Sequence, residues 1–100
     1  MTDSSLAQHS YSEGMAFLER RDHLSEAEAA FRLGLAADPD HAGCLLQLGI
    51  TLRVQGRLKE AGYVLGRARD IAPKDPMVHM QIGRVLRLQK KMGLSNRICG

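Results

Sequence analysis

Four histidines, His9, His23, His41 and His79, and two cysteines, Cys44 and Cys99, are the side chains best suited to hold a metal or attack a substrate. A zinc centre needs three or four such groups converging, usually announced by short Cys–Cys or His–His spacings. These histidines are dispersed, and none joins a cysteine or carboxylate in a ligand set of that kind. Cys44 and Cys99 fall at opposite ends of the expected fold and match no metal spacing. The chain contains no phosphate-cradling loop, nucleophile motif, paired-carboxylate motif or Cys–His pairing. The expectation is therefore no catalytic residue, no metal and no cofactor. A basic run, Arg84, Arg87, Lys90 and Lys91, admits two readings, a solvated helix face or a contact to nucleic acid. With only Tyr11, Phe17, Phe31 and Tyr63 as aromatics, platforms for stacking bases are lacking, and nucleic acid is disfavoured.

The frame that carries these residues is small. One hundred residues, 44% of them apolar and only 4% aromatic, make one domain with a core of Leu, Ile, Val, Met and Ala. That composition suits close-packed helices better than strands. Charge is unevenly divided. Residues 1–41 carry three basic and eight acidic groups, for −5, and residues 42–100 carry eleven and three, for +8. Such polarity fits an acidic partner on the C-terminal half or head-to-tail self-association, beside the plain alternative of a solvated surface. The polar start, Met1-Thr2-Asp3-Ser4-Ser5, lacks a basic and apolar leader, and no stretch approaches a membrane span. A reduced, cytoplasmic setting is expected.

Spacing organises the rest. Ala27 and Ala61, Phe31 and Leu65, and Pro39 and Pro73 are each 34 residues apart, and Leu18, Leu52 and Leu86 extend the period over three units. Leu48-Gly49 returns 34 residues later as Ile82-Gly83. Apolar residues at helical spacing predict helices near 5–21, 24–37, 41–55, 58–72 and 76–91. Ser25 with Glu28, Asp40, and Asp75 before Pro76 are the expected helix starts, and Gly56 the turn of the middle pair. Gly62 and Gly66, four apart within the fourth helix, leave two readings open, tolerance on an exposed face or close approach of another helix.

The pattern resembles the tetratricopeptide repeat. Its middle unit reads Leu45, Leu48-Gly49, Leu52, Gly56, Ala61, Leu65, Ala68 and Pro73; its first reads Tyr11, Gly14, Leu18, Ala27, Phe31, Gly34 and Pro39. Leu45 and Leu52 replace aromatics, and Met15 stands where the family prefers a small residue. The resemblance implies an all-α, right-handed superhelical array of antiparallel helix pairs, an α-α solenoid of five helices and about two and a half repeats. A single domain spans 1–100, with repeats near 8–41 and 42–75, a partial repeat or capping helix near 76–94, and a tail at 95–100.

It also implies a peptide lying along the first helices. The family's groove positions fall on Ser12, Ala16 and Glu19, then Leu46, Gln47, Ile50 and Arg53, then Met77, Met80, Gln81, Arg84 and Arg87. The mixture is an apolar floor with a cationic rim, suited to a segment carrying apolar and acidic residues. The two-carboxylate clamp some members use on chaperone C-termini would fall on Ser12, Ala16, Gln47, Met77 and Gln81, none of which matches. Ile82, Val85, Leu86 and Met92 form a face on the last helix for self-association, so a homo-oligomer is expected. The leading expectation is a non-catalytic scaffold that binds another protein or peptide. Its rivals are a homo-oligomerisation module, a secretion-type chaperone for an amphipathic client, and a non-catalytic fragment of a larger repeat-bearing enzyme.

Overall fold

Apolar residues recurring every three or four positions bury one face of each helix, and the chain pairs those faces. The computed structural model describes residues 3–20 and 23–91, and among these the chain forms five helices and no strand. They are α1 (Ser4–Glu19), α2 (Leu24–Ala37), α3 (Ala42–Val54), α4 (Leu58–Ile71) and α5 (Pro76–Lys91), whose described ends lie within two residues of the expected ones. Helix α1 packs on α2 and α3 on α4, while α2 on α3 and α4 on α5 join one hairpin to the next. The first helices, α1, α3 and α5, also touch in succession, forming one layer; α2 and α4 form the other. Phe31, Leu45, Leu48, Leu52, Leu65, Val78 and Val85 are fully buried between the layers.

Close approach inside each hairpin depends on a glycine. A Cβ on Gly49 would stand 2.5 Å from Leu65 Cγ, and one on Gly14 would stand 2.5 Å from the Phe31 ring. The repeat spacing aligns Met15 with Gly49, yet Gly14 makes the equivalent contact. The reason is the connection: four residues, 20–23, join α1 to α2, whereas three, 55–57, join α3 to α4. One extra residue moves the contact one position along α1, so Met15 does not weaken that interface as its alignment suggested. The shorter turn reverses the chain at Gly56, whose φ of 84° is a left-handed value that glycine adopts without strain.

Two helix starts differ from expectation. Ser25 lies inside α2, whose N-cap is His23 without a side-chain cap bond; Glu28 turns instead to arginines. Asp40 does not cap α3. His41 does, its Nδ1 accepting from the Cys44 amide at 3.0 Å, while the Asp40 amide donates to Asp38. Asp75 starts α5 as its pairing with Pro76 predicts, accepting from the Met77 amide at 2.9 Å.

The hairpins are also tied by charge. Arg57, in the α3–α4 turn, donates to Glu28 of α2 at 2.7 Å and to Glu60 at 2.7 Å, and Arg32 donates to Glu28 at 2.9 Å. Burial pushes the Glu28 carboxyl upward, but hydrogen bonds from Arg32 and Arg57 outweigh it and hold its pKa below the ordinary range. Cys44 is enclosed between the hairpins, its thiol donating weakly to the Ala7 carbonyl at 3.9 Å. Burial, with the nearby Asp38 charge, pushes its pKa up to about 11.

Candidate interaction site

The helical period sends Arg53 from α3 and Arg84 and Arg87 from α5 toward a common space. With Leu88 they line a cleft of about 270 Å³ between the two helices. Arg53 is half-buried, and its Nε has no hydrogen-bond partner among the described residues. Burial and the neighbouring Arg84 charge both push its pKa below the ordinary arginine value. Among the described residues no ion pair neutralises any of the three; Arg84 reaches only the Met80 sulfur at 4.0 Å. A guanidinium that cannot shed its proton at neutral pH, held half-buried beside another, favours an incoming anion.

A second cleft, about 390 Å³, continues along α3, where Ile50 and Arg53 meet Leu18, Leu24 and Val54. Arg53 thus belongs to both, with an apolar wall on one side and cations on the other. Of the groove residues expected from sequence, these clefts bring together Ile50, Arg53, Arg84 and Arg87. Ser12 is exposed on α1, Leu46 and Gln47 are half-buried on α3, and Met77 and Met80 are exposed on α5, outside both clefts. Gln81 requires correction as a groove residue: it is 4% exposed, because its position on α5 faces inward. Sequence reasoning missed Leu88, one helical turn beyond Arg84, a spacing that could have identified it.

The expected self-association face is also divided. Leu86 is 59% exposed and Ile82 half-buried, but Val85 is 1% exposed and belongs to the core. A Cβ on Gly62 of α4 would meet Val85 at 3.8 Å, an ordinary contact, so Val85 is already covered by its own chain. Met92 and Cys99 lie outside the described residues. Among the described residues, no atom lies within 4 Å of a Cβ added to Gly66 or Gly83.

The histidines take structural partners. His41 caps α3, His79 Nε2 meets the Pro73 carbonyl at 2.6 Å, and His23 pairs with Glu26 at 3.0 Å. Among the described residues, no group of three or more His, Cys, Asp or Glu side chains could hold a metal ion. Nor is any described helix long and apolar enough to cross a membrane.

Residues 5–84 match the family model for the tetratricopeptide repeat. No curated protein matches the chain.

Proposed function

This chain belongs to the tetratricopeptide-repeat family, whose repeats generally mediate protein–protein interaction, and we propose that it is a non-catalytic scaffold. Its first-helix layer would capture a segment of another protein that carries both carboxylates and apolar side chains. The observation that supports this most is the arginine trio, with the Arg53 Nε buried and unpartnered among the described residues. An incoming carboxylate relieves the repulsion between Arg53 and Arg84, and each charge-assisted hydrogen bond contributes about 1.5–3 kcal/mol. Apolar side chains of the segment would cover Ile50, Val54 and Leu88. Reversing charge in Arg53→Glu and Arg84→Glu should weaken capture of an acidic amphipathic peptide by roughly tenfold or more, with helicity retained. Unchanged affinity in both variants would move the site off this layer.

A second reading is self-association through α5. The glycines Gly14 and Gly49 each seat a large side chain from a following helix, whereas a Cβ on the corresponding Gly83 would meet no described atom within 4 Å, and Leu86 nearby is exposed. In this reading a helix from a second copy would cover Gly83, which no described residue covers. Sedimentation across a concentration series separates the readings, because only self-association makes the mass rise with concentration.

A further inference from the structure

On the opposite layer, α2 and α4 stand apart and leave a trough of about 520 Å³. Its floor is apolar, made of Leu35, Leu45, Leu48 and Val64, with Ala36 on one wall. Two small choices keep it open. Leu45 occupies the family's large aromatic position, and Ala36 has no side chain long enough to reach across. The wall from α4 is a stripe of Lys59, Tyr63 and Arg67, at i, i+4 and i+8, which stacks three long side chains along one helix edge. Tyr63 is 72% exposed, which leaves most of its ring free for a partner. Tyr and Arg around an apolar depression are the residue types that carry binding energy at protein interfaces.

Charge identifies the occupant. Arg32 borders the trough from α2 but is paired with Glu28, and Glu60 is engaged by Arg57 at 2.7 Å. Lys59 and Arg67 have no carboxylate within ion-pair distance among the described residues; Arg67 donates to the Pro39 carbonyl at 3.3 Å, which holds it beside the trough. Their backbones are about 12 Å apart along α4, eight residues at 1.5 Å each. That is close to two helical turns. We propose that the α2–α4 trough is a second docking surface, which takes an amphipathic helix of another protein with carboxylates two turns apart and apolar residues between them. The carboxylates meet Lys59 and Arg67, and the apolar pair lies over Val64 and Leu35 beside the Tyr63 ring. The two layers would then hold two segments at once, independently of whether the arginine cleft is occupied.

The test uses the full chain, labelled with nitrogen-15, and two synthetic helical peptides. One carries glutamates at i and i+7 with leucines at i+3 and i+4; its twin carries lysines in place of the glutamates. The acidic peptide should shift the amides of Ala36, Tyr63 and Val64, and the basic twin should not. Ala36→Trp, filling the trough from an exposed position, should abolish those shifts. Lys59→Glu, a surface change that spares the core, should weaken them by roughly tenfold, whereas Arg84→Glu should leave them in place. Shifts confined to α3 and α5, equal binding of the twin, or indifference to both Ala36→Trp and Lys59→Glu would overturn the proposal. So would trough amides that move with protein concentration alone, which would make the occupant a second copy of this chain.

Discussion

In the first hairpin the Phe31 ring rests over Gly14; in the second the branched end of Leu65 rests over Gly49. The helices around them differ. Helix α3 buries Leu45, Leu48 and Leu52, whereas α1 contributes the small Ala7 and Ser10, whose Oγ is buried without a hydrogen-bond partner among the described residues. Of the large apolar side chains in the first hairpin only Phe31 is fully buried, with Tyr11, Met15, Phe17, Leu18 and Leu35 partly buried around the core, whereas the second hairpin fully buries several leucines. A repeat conserves a contact geometry rather than a list of residues, and the load on equivalent positions need not be equal.

The largest expected effect tests that inequality. Phe31→Ala should cost about 3–5 kcal/mol, because a whole ring is removed, and Leu65→Ala about 2–5 kcal/mol; both face a glycine that cannot fill the cavity. Against a total of roughly 5–15 kcal/mol for a domain, the first change alone threatens folding. Urea denaturation of both variants gives the comparison, and a smaller loss for Phe31→Ala would reverse it.

Glycine replacements give the next effect, with opposite signs. Gly14→Ala and Gly49→Ala should destabilise, since overpacking costs typically about 1–3 kcal/mol and outweighs a helix-propensity gain of about 0.8–1 kcal/mol. Gly66→Ala and Gly83→Ala meet no described atom within 4 Å and should keep that gain, raising the melting temperature. Melting curves of the four variants decide it; stabilisation by all four would mean that propensity rather than space governs these positions.

The smallest effect concerns the tie between the hairpins. A carboxylate with a lowered folded pKa stabilises above its unfolded value, about 4.3 for Glu, and loses that contribution as pH falls through the folded value. Glu28 is such a group, so acid should loosen the hairpins from each other. Glu28→Gln should lower stability at neutral pH and flatten the acid limb of stability against pH. An acid limb as steep as that of the unsubstituted protein would assign the dependence to other carboxylates.

Much of this architecture was legible from spacing. The 34-residue recurrence of Ala27, Phe31 and Pro39 fixes the second helices, and Asp75-Pro76 marks the start of α5, because those residue types act through local backbone geometry. The caps of α2 and α3 were less legible. Glu28 reads as half of a capping box until the distant Arg57 is seen beside it, and histidine is not a customary cap. The Gly14 register depended on one extra loop residue, which a strict period conceals. At the candidate site, the cations Arg53, Arg84 and Arg87 were readable through the resemblance, whose groove positions fall on them. The burial of Gln81 and Val85 depended on which face α5 turns to its neighbours. The trough between α2 and α4 comes from what Leu45 and Ala36 do not fill, and an absence of volume has no signature in a string of residues.

Cys44 sits where the two hairpins meet, close enough to α2 that a Cβ on Gly34 would stand 2.7 Å from its sulfur. A thiol that is both enclosed and shifted up to about 11 is shielded twice over, by access and by the scarcity of thiolate at neutral pH. Oxidants and alkylating agents can reach it only when α3 parts from α1 and α2. Modification of Cys44 would accordingly act as a clock, counting every opening that exposes the seam between the hairpins, whether by their parting or by unfolding of the chain.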